Sequence, residues 1–366
     1  MAMAVNHSVT KTFGILTAGG DCPGLNAAIR GVCRSAHDRY GMKIVGIANG
    51  FRGLIDEDVK ELKPEDFSGI LTHGGTILGS SREKPFNVGT EDRDYEATDK
   101  VMAIKETYLK LKLDCIVVLG GNGTNTTGYR LSREGINIIG LPKTIDNDIF
   151  GTDKTFGFAS ALDIGTEAID RLHSTAESHS RVMVIEVMGN KAGWLSLYSG
   201  VAGGGDVILI PEIPYDIRAV TRHLEKRVKS GKRFSVIVAA EGAMSVKEAE
   251  MDKKERKKFR LESGLSAAGR IAREIEEAAG METRATVLGY VQRGGVPSAA
   301  DRALASSFGA AAAELLAAGQ YGRMVTLNGN QIGSVDLSVP EGKIKFVPVD
   351  HYMIDTAKAV GSCFGA

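Results

Sequence analysis

The sequence is poor in cysteine and carries no excess charge of either sign. Its four cysteines, Cys22, Cys33, Cys115 and Cys363, show neither CxxC nor zinc-ligand spacing, and no framework of paired disulfides is indicated. A reducing cytoplasm is therefore the expected compartment. Lys and Arg number 45, as do Asp and Glu, so the net charge is zero. This balance argues against a nucleic-acid-binding surface and against a polybasic membrane anchor.

Long apolar runs are absent from the sequence as well. No stretch approaches the roughly 20 residues of a membrane-spanning helix, and the segment MAMAVNHSVTKTFG lacks the apolar centre of a signal peptide. Glycine, by contrast, is abundant at 45 residues, and 43% of the chain is apolar. A chain of 366 residues with this composition can form two domains or one large α/β unit.

Short apolar runs alternate with segments of helical periodicity. Near-continuous Val, Ile and Leu in the apolar runs favours parallel strands covered on both faces. The alternation predicts an α/β protein of doubly wound, mostly parallel βα units, with a boundary near residue 158 where a second run of units starts. The lysine-rich span KEAEMDKKERKKF is typical of a solvated loop or an exposed helix. The predicted strands include KTFGILTA, MKIVGIA, DCIVVLG, INIIGLP, RVMVIEVMG, DVILIP, FSVIVAAEG and TRATVLG.

Glycine-rich turns follow three of the predicted strands and open the next helix, in LTAGGDCPGLN, VLGGNGTNT and EVMGNKAGW. Glycine allows a ligand to approach the backbone closely, and a helix N-terminus favours anions. In open α/β sheets, ligands bind beyond the carboxyl ends of the strands. Neither GxxxxGK[ST] nor a clean GxGxxG occurs, which argues against Walker-type and nicotinamide sites. Together the turns predict a crevice that binds phosphates.

A fourth strand end carries acids in the segment LPKTIDNDI. Asp146 and Asp148 lie two residues apart and point the same way if the segment is extended, with Lys143 and Thr144 just before them. In isolation such a segment is most often a turn. Four arginines lie beside strand or loop ends, where bidentate phosphate binding suits them, although each alone is commonly a surface ion-pair partner. These are Arg82, Arg181, Arg284 and Arg293.

Eight motifs in order resemble the 6-phosphofructokinase family, in its bacterial phosphofructokinase A type, from about Thr12 to past Arg302. GGNGT alone is ambiguous, because NAD kinases and lipid kinases carry a similar GGDGT, but those families lack TIDND and QRGG. The motifs are LTAGGDCPGLNAAIRG, GGTILGSSR, VLGGNGT, LPKTIDNDI, GFASALDIGTEAIDRL, RVMVIEVMG, AAEG and ETRATVLGYVQRGG.

The resemblance implies phosphorylation of fructose 6-phosphate at the C1 hydroxyl, in a cleft between two βα domains. Residues 1–158, joined by roughly 290–330, are the expected donor-binding domain. Residues 159–289 are the expected sugar-phosphate domain, and 331–366 are expected to pack on the body. The family also implies Mg²⁺ as cofactor and a homo-oligomer, a tetramer or dimer with shared active sites.

The resemblance assigns roles residue by residue. Asp146 matches the general base, Thr144 contacts substrate and the moving phosphoryl group, and Asp148 with Asn122 matches the Mg²⁺ site. Lys143 is a candidate catalytic cation. The donor-binding matches are Gly19, Arg82, Glu83, Asn122, Gly123 and Thr124. The substrate-binding matches are Thr144, Asp146, Arg181, Met188, Gly189, Asn190, Glu241, Arg284, Tyr290 and Arg293, of which Arg181 and Arg284 are expected to serve a neighbouring subunit.

Four positions depart from the common family pattern. Asn122 replaces an Asp that helps hold Mg²⁺, which predicts weaker metal binding because an amide oxygen carries no charge. Asn190 replaces an Arg, so Lys191 or Lys143 is expected to supply the missing cation. Tyr290 replaces a His but can still hydrogen-bond a phosphate oxygen. Asp58 stands where the effector pocket, matched by Arg30 and Arg34, has a cation, so no response to ADP or phosphoenolpyruvate is expected.

The phosphoryl donor receives two opposed signals. Lys143 resembles the pyrophosphate-dependent members, in which the lysine holds a pyrophosphate oxygen. Gly123 resembles the ATP-dependent members. Pyrophosphate-dependent members carry an Asp at this position, whose side chain fills the space that the α-phosphate of a nucleotide needs and repels that phosphate. We favour Mg-ATP, with pyrophosphate as the alternative. A further alternative is a non-catalytic subunit that binds sugar phosphate and regulates a partner.

Overall fold

The computed structural model describes residues 6–88 and 95–366. The chain divides into two compact units. The first contains the described residues up to Ser160 together with Arg293–Ile344, and the second contains Ala161–Gln292 together with Lys345–Ala366. Residues 1–5 and 89–94, which fall within the predicted donor-binding domain, lie outside the described residues. The domain boundaries inferred from the sequence stay a prediction.

The first unit contains an eight-stranded, mostly parallel sheet in the order β14-β13-β7-β6-β1-β2-β3, with β8 paired to β7. Among the described strands of this sheet, the pairs β2–β3 and β13–β14 are antiparallel and the others are parallel. The strands are β1 (Thr12–Thr17), β2 (Lys43–Ile47), β3 (Val59–Glu61), β6 (Cys115–Gly120), β7 (Ile138–Thr144), β8 (Phe156–Gly157), β13 (Arg323–Asn328) and β14 (Gln331–Asp336). A separate two-stranded antiparallel sheet pairs β4 (Phe86–Val88) with β5 (Tyr95–Ala97). The helices are α1 (Leu25–Tyr40), α2 (Phe51–Ile55), α3 (Asp99–Lys110), α4 (Asn122–Arg133) and α11 (Ala299–Ala318).

The second unit contains a four-stranded, wholly parallel sheet in the order β10-β11-β9-β12. Its strands are β9 (Val182–Val187), β10 (Val207–Leu209), β11 (Ser235–Ala240) and β12 (Thr283–Val287). Its helices are α6 (Trp194–Ala202), α7 (Ile217–Lys229), α8 (Val246–Glu250), α9 (Lys253–Ser263), α10 (Ala267–Ala279) and α12 (Tyr352–Ala359), while α5 (Phe158–His179) begins in the first unit and continues here.

Parallel pairing places the candidate motifs at one edge of the first sheet. Every residue of β6 and β7 is buried, as expected for central strands covered on both faces. Because β1, β6 and β7 run in the same direction, the segments after Thr17, Gly120 and Thr144 emerge side by side. The predicted α/β class and parallel architecture are confirmed.

Several elements differ from or extend the sequence-based expectation. The lysine-rich span forms α8 and α9, and every side chain of α9 is exposed or half-buried, which confirms the exposed-helix interpretation. The antiparallel hairpin β13–β14 was not predicted, although Asn328-Gly329 at its turn is a recognised hairpin signal. Across residues 6–88 and 95–366, the structure contains no helix with the length and apolar character needed to span a bilayer.

Helices α1 and α11 pack closely because glycines lie at their crossing. A β-carbon on Gly309 would lie 2.5 Å from the backbone nitrogen of Val32 and 2.8 Å from the carbonyl oxygen of Ala28. One on Gly31 would lie 2.9 Å from the carbonyl oxygen of Ser306. Backbone atoms cannot move aside as a side chain can, so this contact requires glycine.

Gly309→Ala should therefore destabilise the protein, by about 1–3 kcal/mol on the scale of overpacked cores. Gly269→Ala in α10 is the matched control, since its β-carbon would meet no atom closer than 3.4 Å and should stabilise the helix by about 0.5–1 kcal/mol. Denaturant midpoints of the two variants measure both effects. Equal midpoints would show that the helix crossing tolerates a methyl group.

Candidate active site

The turn after β1 is held by the segment that carries Arg82. Gly19 has a left-handed backbone (φ 84°), and its N–H donates to the carbonyl of Ser81 at 2.9 Å. The hydroxyl of Ser80 donates back to the carbonyl of Gly19 at 2.6 Å. Arg82 follows directly and is exposed. The reciprocal bonds fix the predicted donor residues Gly19 and Arg82 near each other.

Glu83, another predicted donor residue, pairs with a lysine of α3. Its carboxylate forms an ion pair with Lys100 at 2.6 Å. That hydrogen bond is the main reason why the pKa of Glu83 is lowered. The ion pair connects the loop of Glu83 to the start of α3, and its donor-binding role stays a prediction.

Asn26, which sequence reasoning missed, organises the segment before Ser80. Its buried amide donates to the carbonyls of His73 and Gly74, both at 3.2 Å, and accepts from the N–H of Ile77 at 2.8 Å. One side chain thus satisfies three backbone groups, one at His73 and two in the GGTILGSSR segment that follows it. Its position in an α1 segment rich in small and apolar residues gave no signal of this function.

The GGNGT segment forms the N-terminus of α4 beneath the β1 turn. The Thr124 hydroxyl donates to the carbonyl of Ala18 at 3.2 Å, which joins the ends of β1 and β6. A β-carbon on Gly123 would meet no atom of the described residues within 4 Å. Free N–H groups at a helix N-terminus favour anions. Gly123 therefore leaves open space beside a helix terminus suited to phosphate.

Asn122 and Asp148 lie together although they follow different strands. The Asn122 amide donates to the Asp148 carboxylate at 3.0 Å and to the Asp148 carbonyl at 3.3 Å. The amide oxygen of Asn122 is buried, and no hydrogen bond reaches it from the described residues. Among those residues no cluster of three or more His, Cys, Asp or Glu side chains is arranged for a metal. The structure therefore brings the two predicted metal ligands, Asn122 and Asp148, together.

The DND segment is a locked turn at the end of β7. The N–H of Asp146 donates to the Thr144 hydroxyl at 3.1 Å. Asn147 adopts a left-handed conformation (φ 53°), and its side-chain oxygen accepts from the N–H of Thr155 at 3.0 Å. Thr155 in turn donates to the carbonyl of Thr144 at 2.7 Å. These bonds fix the backbone conformation at the half-buried Asp146 and so restrict where its carboxylate can lie.

Lys143 is a buried cation at the carboxyl end of β7. Its side chain is 4% exposed, and the ammonium group donates to the carbonyl of Gly20. Burial lowers the pKa of Lys143; nearby Arg293 also lowers it, while Asp146 and Asp21 oppose the shift. A buried lysine held against the glycine turn concentrates positive charge where phosphates are expected to bind.

Arg293 lies against the same turn. A β-carbon on Gly20 would be 2.5 Å from an Nη atom of Arg293. Gly20 was not among the predicted site residues, but its lack of a side chain makes room for this guanidinium group. The structure thus places Arg293, predicted to bind substrate, beside the donor turn and Lys143.

In the second unit, the loop after β9 brings four predicted sugar-binding residues together. Gly189 has φ 140° and Asn190 has φ 52°, so the chain turns sharply. The N–H of Asn190 donates to the Glu241 carboxylate at 2.7 Å. Met188 precedes the turn and is buried. Tyr290 is 73% exposed on the surface of this unit.

Arg181 and Arg284 share one carboxylate. The Nη2 atoms of Arg181 and Arg284 lie 2.7 and 2.6 Å from the same oxygen of Glu282. The hydrogen bond from Arg181 is the main cause of the lowered pKa of Glu282. The Nε of Arg181 is buried and makes no hydrogen bond within the described residues. Two guanidinium groups that converge on one anionic oxygen form a suitable arrangement for a phosphate.

The residues matched to an effector pocket show no such convergence on an anion. Arg34 forms an ion pair with Asp38 along α1 at 3.2 Å, and Asp58 is exposed. Arg30 is half-buried on the same helix. The expected lack of response to ADP or phosphoenolpyruvate stays a prediction.

Comparison with known proteins agrees with a phosphoryl-transfer site. The family model described as Phosphofructokinase matches residues 12–316. The chain is 63% identical to ATP-dependent 6-phosphofructokinase of Spirochaeta thermophila, over 99% of both chains. It is 51% identical to ATP-dependent 6-phosphofructokinase 3 of Bacteroides thetaiotaomicron, over 96% of this chain and 99% of that one.

A solved structure, the pyrophosphate-dependent phosphofructokinase from Marinobacter aquaeolei, has a TM-score of 0.78 and 26% identity, over 97% of this chain and 88% of that one. Fold and site together define a phosphotransferase of the doubly wound α/β type. The chain belongs to the phosphofructokinase family, and the resemblance inferred from the eight motifs is confirmed.

Lys143→Met should stabilise the ligand-free protein at neutral pH, because it removes a cation whose folded-state pKa lies below the ordinary value of 10.5. A midpoint increase of about 1–3 °C is expected. The destabilising effect of the buried charge is fully present below the folded pKa and is relieved as pH rises toward the unfolded one. Thermal scans should therefore show a difference between variant and wild type that shrinks at alkaline pH. A variant less stable than wild type at neutral pH would contradict this.

Proposed function

We propose that this chain is an ATP-dependent 6-phosphofructokinase that converts fructose 6-phosphate to fructose 1,6-bisphosphate. The observation that carries the proposal is the convergence of Asp146, Lys143, Thr124 and the open Gly123 at the carboxyl ends of three parallel strands. Phosphoryl transfer requires in-line placement, charge neutralisation and a base for the attacking hydroxyl. The near full-length similarity to enzymes named ATP-dependent 6-phosphofructokinase supports the same activity.

Asp146 is the proposed general base. The C1 hydroxyl oxygen of fructose 6-phosphate attacks the γ-phosphorus, its proton passes to the Asp146 carboxylate, and the bond to the bridging oxygen of ADP breaks. The hydrogen bond from the Asp146 N–H to Thr144 fixes the backbone that carries this carboxylate. A positioned base typically contributes about 10²–10⁴-fold to the rate.

Lys143, Arg293 and the N-terminus of α4 are proposed to stabilise the transferred phosphoryl group. Lys143 is held by the Gly20 carbonyl, and Arg293 packs on Gly20. Their charge is in place before substrate binds, which favours stabilisation of charge that develops in the transition state. Asn190 replaces the arginine common in the family, and the buried Lys143 is the better-placed substitute, because Lys191 is exposed.

Asn122 and Asp148 are proposed to hold Mg²⁺. The buried amide oxygen of Asn122, which has no hydrogen bond within the described residues, and the neighbouring carboxylate fit a small hard cation that keeps most of its other ligands as water and phosphate oxygens. When bound, the ion would neutralise charge on the donor phosphates. One carboxylate fewer than in the common pattern predicts weaker Mg²⁺ binding.

The sugar phosphate is proposed to bind at the loop Met188–Asn190, with Glu241 and Tyr290. Glu241 already accepts a hydrogen bond from Asn190 through Oε1, which orients its carboxylate. Arg181 and Arg284 are proposed to bind the phosphate of a sugar in a neighbouring subunit, so the protein would be a homo-oligomer, a dimer or tetramer with shared sites. Their convergence on Glu282 supports joint binding of one anion.

Pyrophosphate is the second candidate donor, and the buried Lys143 is the observation that favours it. Gly123 favours ATP, because the space beside it is open to an α-phosphate and carries no charge. A lysine beside phosphates is compatible with either donor. An acidic side chain at position 123 would oppose the nucleotide by charge and volume, and this chain lacks it. ATP is therefore the proposed donor.

Asp146→Asn should lower kcat by about 10²–10⁴, with little change in the affinity for fructose 6-phosphate, because the amide keeps the shape but cannot accept the proton. The exposed Asp163→Asn on α5 is the matched control and should retain full kcat. Steady-state kinetics with ATP measures both. A loss in kcat smaller than about tenfold would show that Asp146 is not the base.

Gly123→Asp should lower kcat/KM for ATP by at least about tenfold, roughly 1.4 kcal/mol, because the carboxylate repels the α-phosphate. Fold stability should be retained, since the site is open and an acid is favourable at a helix N-terminus. Gly123→Ala separates the effect of volume from that of charge. Its methyl group is small and uncharged, so kcat/KM for ATP should fall less than in Gly123→Asp. An Asp variant that uses ATP as well as wild type does would refute the proposed position of the nucleotide.

A further inference from the structure

The helical turn Gly289–Arg293 has an inverted pattern of burial. Tyr290 and Val291 are 73% and 67% exposed, whereas the polar Gln292 is fully buried. Glutamine is normally among the exposed residues, and burying a primary amide is unfavourable unless its hydrogen bonds are made. Because Gln292 is buried while its apolar neighbours are exposed, we infer that its amide makes hydrogen bonds in the interior of the protein.

Both ends of the Gln292 amide are in use. The N–H of Met188 donates to Oε1 at 2.7 Å, and Nε2 donates to the carbonyl of Ala161 at 3.3 Å. Met188 begins the loop after β9, and Ala161 lies in the first turns of α5. The amide therefore joins the loop proposed to bind the sugar to the start of a 22-residue helix.

The bond to Met188 lies where the β-ladder stops. Strand β12 pairs with β9 up to Val287 and Glu186, and the N–H of Leu288 still donates to the carbonyl of Glu186 at 3.1 Å. In a parallel ladder the next donor on β9 is the N–H of Met188. The chain after Leu288 turns into the helical segment instead, and the side chain of Gln292 supplies the acceptor.

The loop that follows has its backbone fixed at two points. Beyond Met188, Gly189 and Asn190 both have positive φ, and the N–H of Asn190 is held by Glu241 at 2.7 Å. Gln292 and Glu241 therefore hold the two ends of Met188–Asn190. A loop held at both ends presents a single backbone conformation to a ligand.

We propose that Gln292 is a positioning residue for fructose 6-phosphate, acting through Met188. The inference rests on the proposed function, which places Met188, Gly189, Asn190 and Glu241 on the sugar phosphate. A neutral amide is suited to this position because it accepts from one backbone group and donates to another without adding charge. A carboxylate there would face the Ala161 carbonyl oxygen and add negative charge near a phosphate. A leucine of similar volume would leave both backbone groups without a partner.

Gln292→Leu tests the proposal. It should raise KM for fructose 6-phosphate by about tenfold or more and leave KM for ATP unchanged, because the Gln292 amide bonds to Met188 and Ala161 and not to the residues proposed to bind the donor. Hydrogen exchange of the Met188 amide should accelerate in the same variant. Gln320→Leu, the same change at an exposed glutamine after α11, is the matched control and should alter none of these values.

Gln292→Glu provides a second variant and a pH readout. At alkaline pH the carboxylate cannot donate to Ala161, so KM for fructose 6-phosphate should be raised relative to wild type at the same pH. Burial favours the neutral acid, which has both a donor and an acceptor. The ratio of variant to wild-type KM should therefore fall as pH is lowered, whereas the ratio for Gln292→Leu should stay constant.

Three outcomes would overturn the inference: an unchanged KM for fructose 6-phosphate in Gln292→Leu, an equal rise in KM for both substrates, or retained protection of the Met188 amide. Failure of the proposed function is distinguishable, because wild-type protein would then not phosphorylate fructose 6-phosphate. The exchange of the Met188 amide would still report on Gln292 in that case.

Discussion

The hydrogen bond from the Lys143 ammonium group to the Gly20 carbonyl is the interaction on which the first unit's site depends. It joins the end of β7 to the turn after β1, and Thr124 joins that turn to the end of β6. Burying a lysine is unfavourable and lowers its pKa, so the contact is better explained by ligand binding than by stability. The same cation that is expected to destabilise the ligand-free protein lies where we propose that phosphate charge is neutralised, a common compromise between stability and activity.

Neutral amides do much of the positioning around these charges. Asn26 satisfies three backbone groups of one loop, Asn147 holds the turn that carries Asp146, and Gln292 holds Met188. An amide offers a donor and an acceptor without net charge. Because these amides add no net charge, the electrostatic field at the strand ends is set by the lysine, the arginines and the acids.

Much of the fold and part of the site could be predicted from the sequence. Apolar runs that end in glycine turns predict parallel strands whose carboxyl ends lie at the same edge of the sheet. This prediction placed the GGNGT and DND segments close together. Pairing at the level of side chains could not be predicted from local patterns. Asn122 and Asp148 are 26 residues apart on different strand ends, and they were paired only through the family resemblance. Lysine and glutamine are usually exposed, so nothing local indicated that Lys143 and Gln292 are buried. Asn26 and Gly20 gave no chemical signal, because their function depends on contacts with distant segments.

Turnover by the purified wild-type protein tests the central claim most directly. The protein would be given fructose 6-phosphate and Mg²⁺ with either ATP or pyrophosphate as the donor. A coupled assay would measure the formation of fructose 1,6-bisphosphate, and phosphorus NMR would locate the new phosphate. The account predicts phosphorylation at C1 and a higher kcat/KM with ATP than with pyrophosphate. A higher value with pyrophosphate would contradict the inference from Gly123. Absence of turnover with both donors would contradict catalysis by Asp146 and favour the alternative of a non-catalytic subunit.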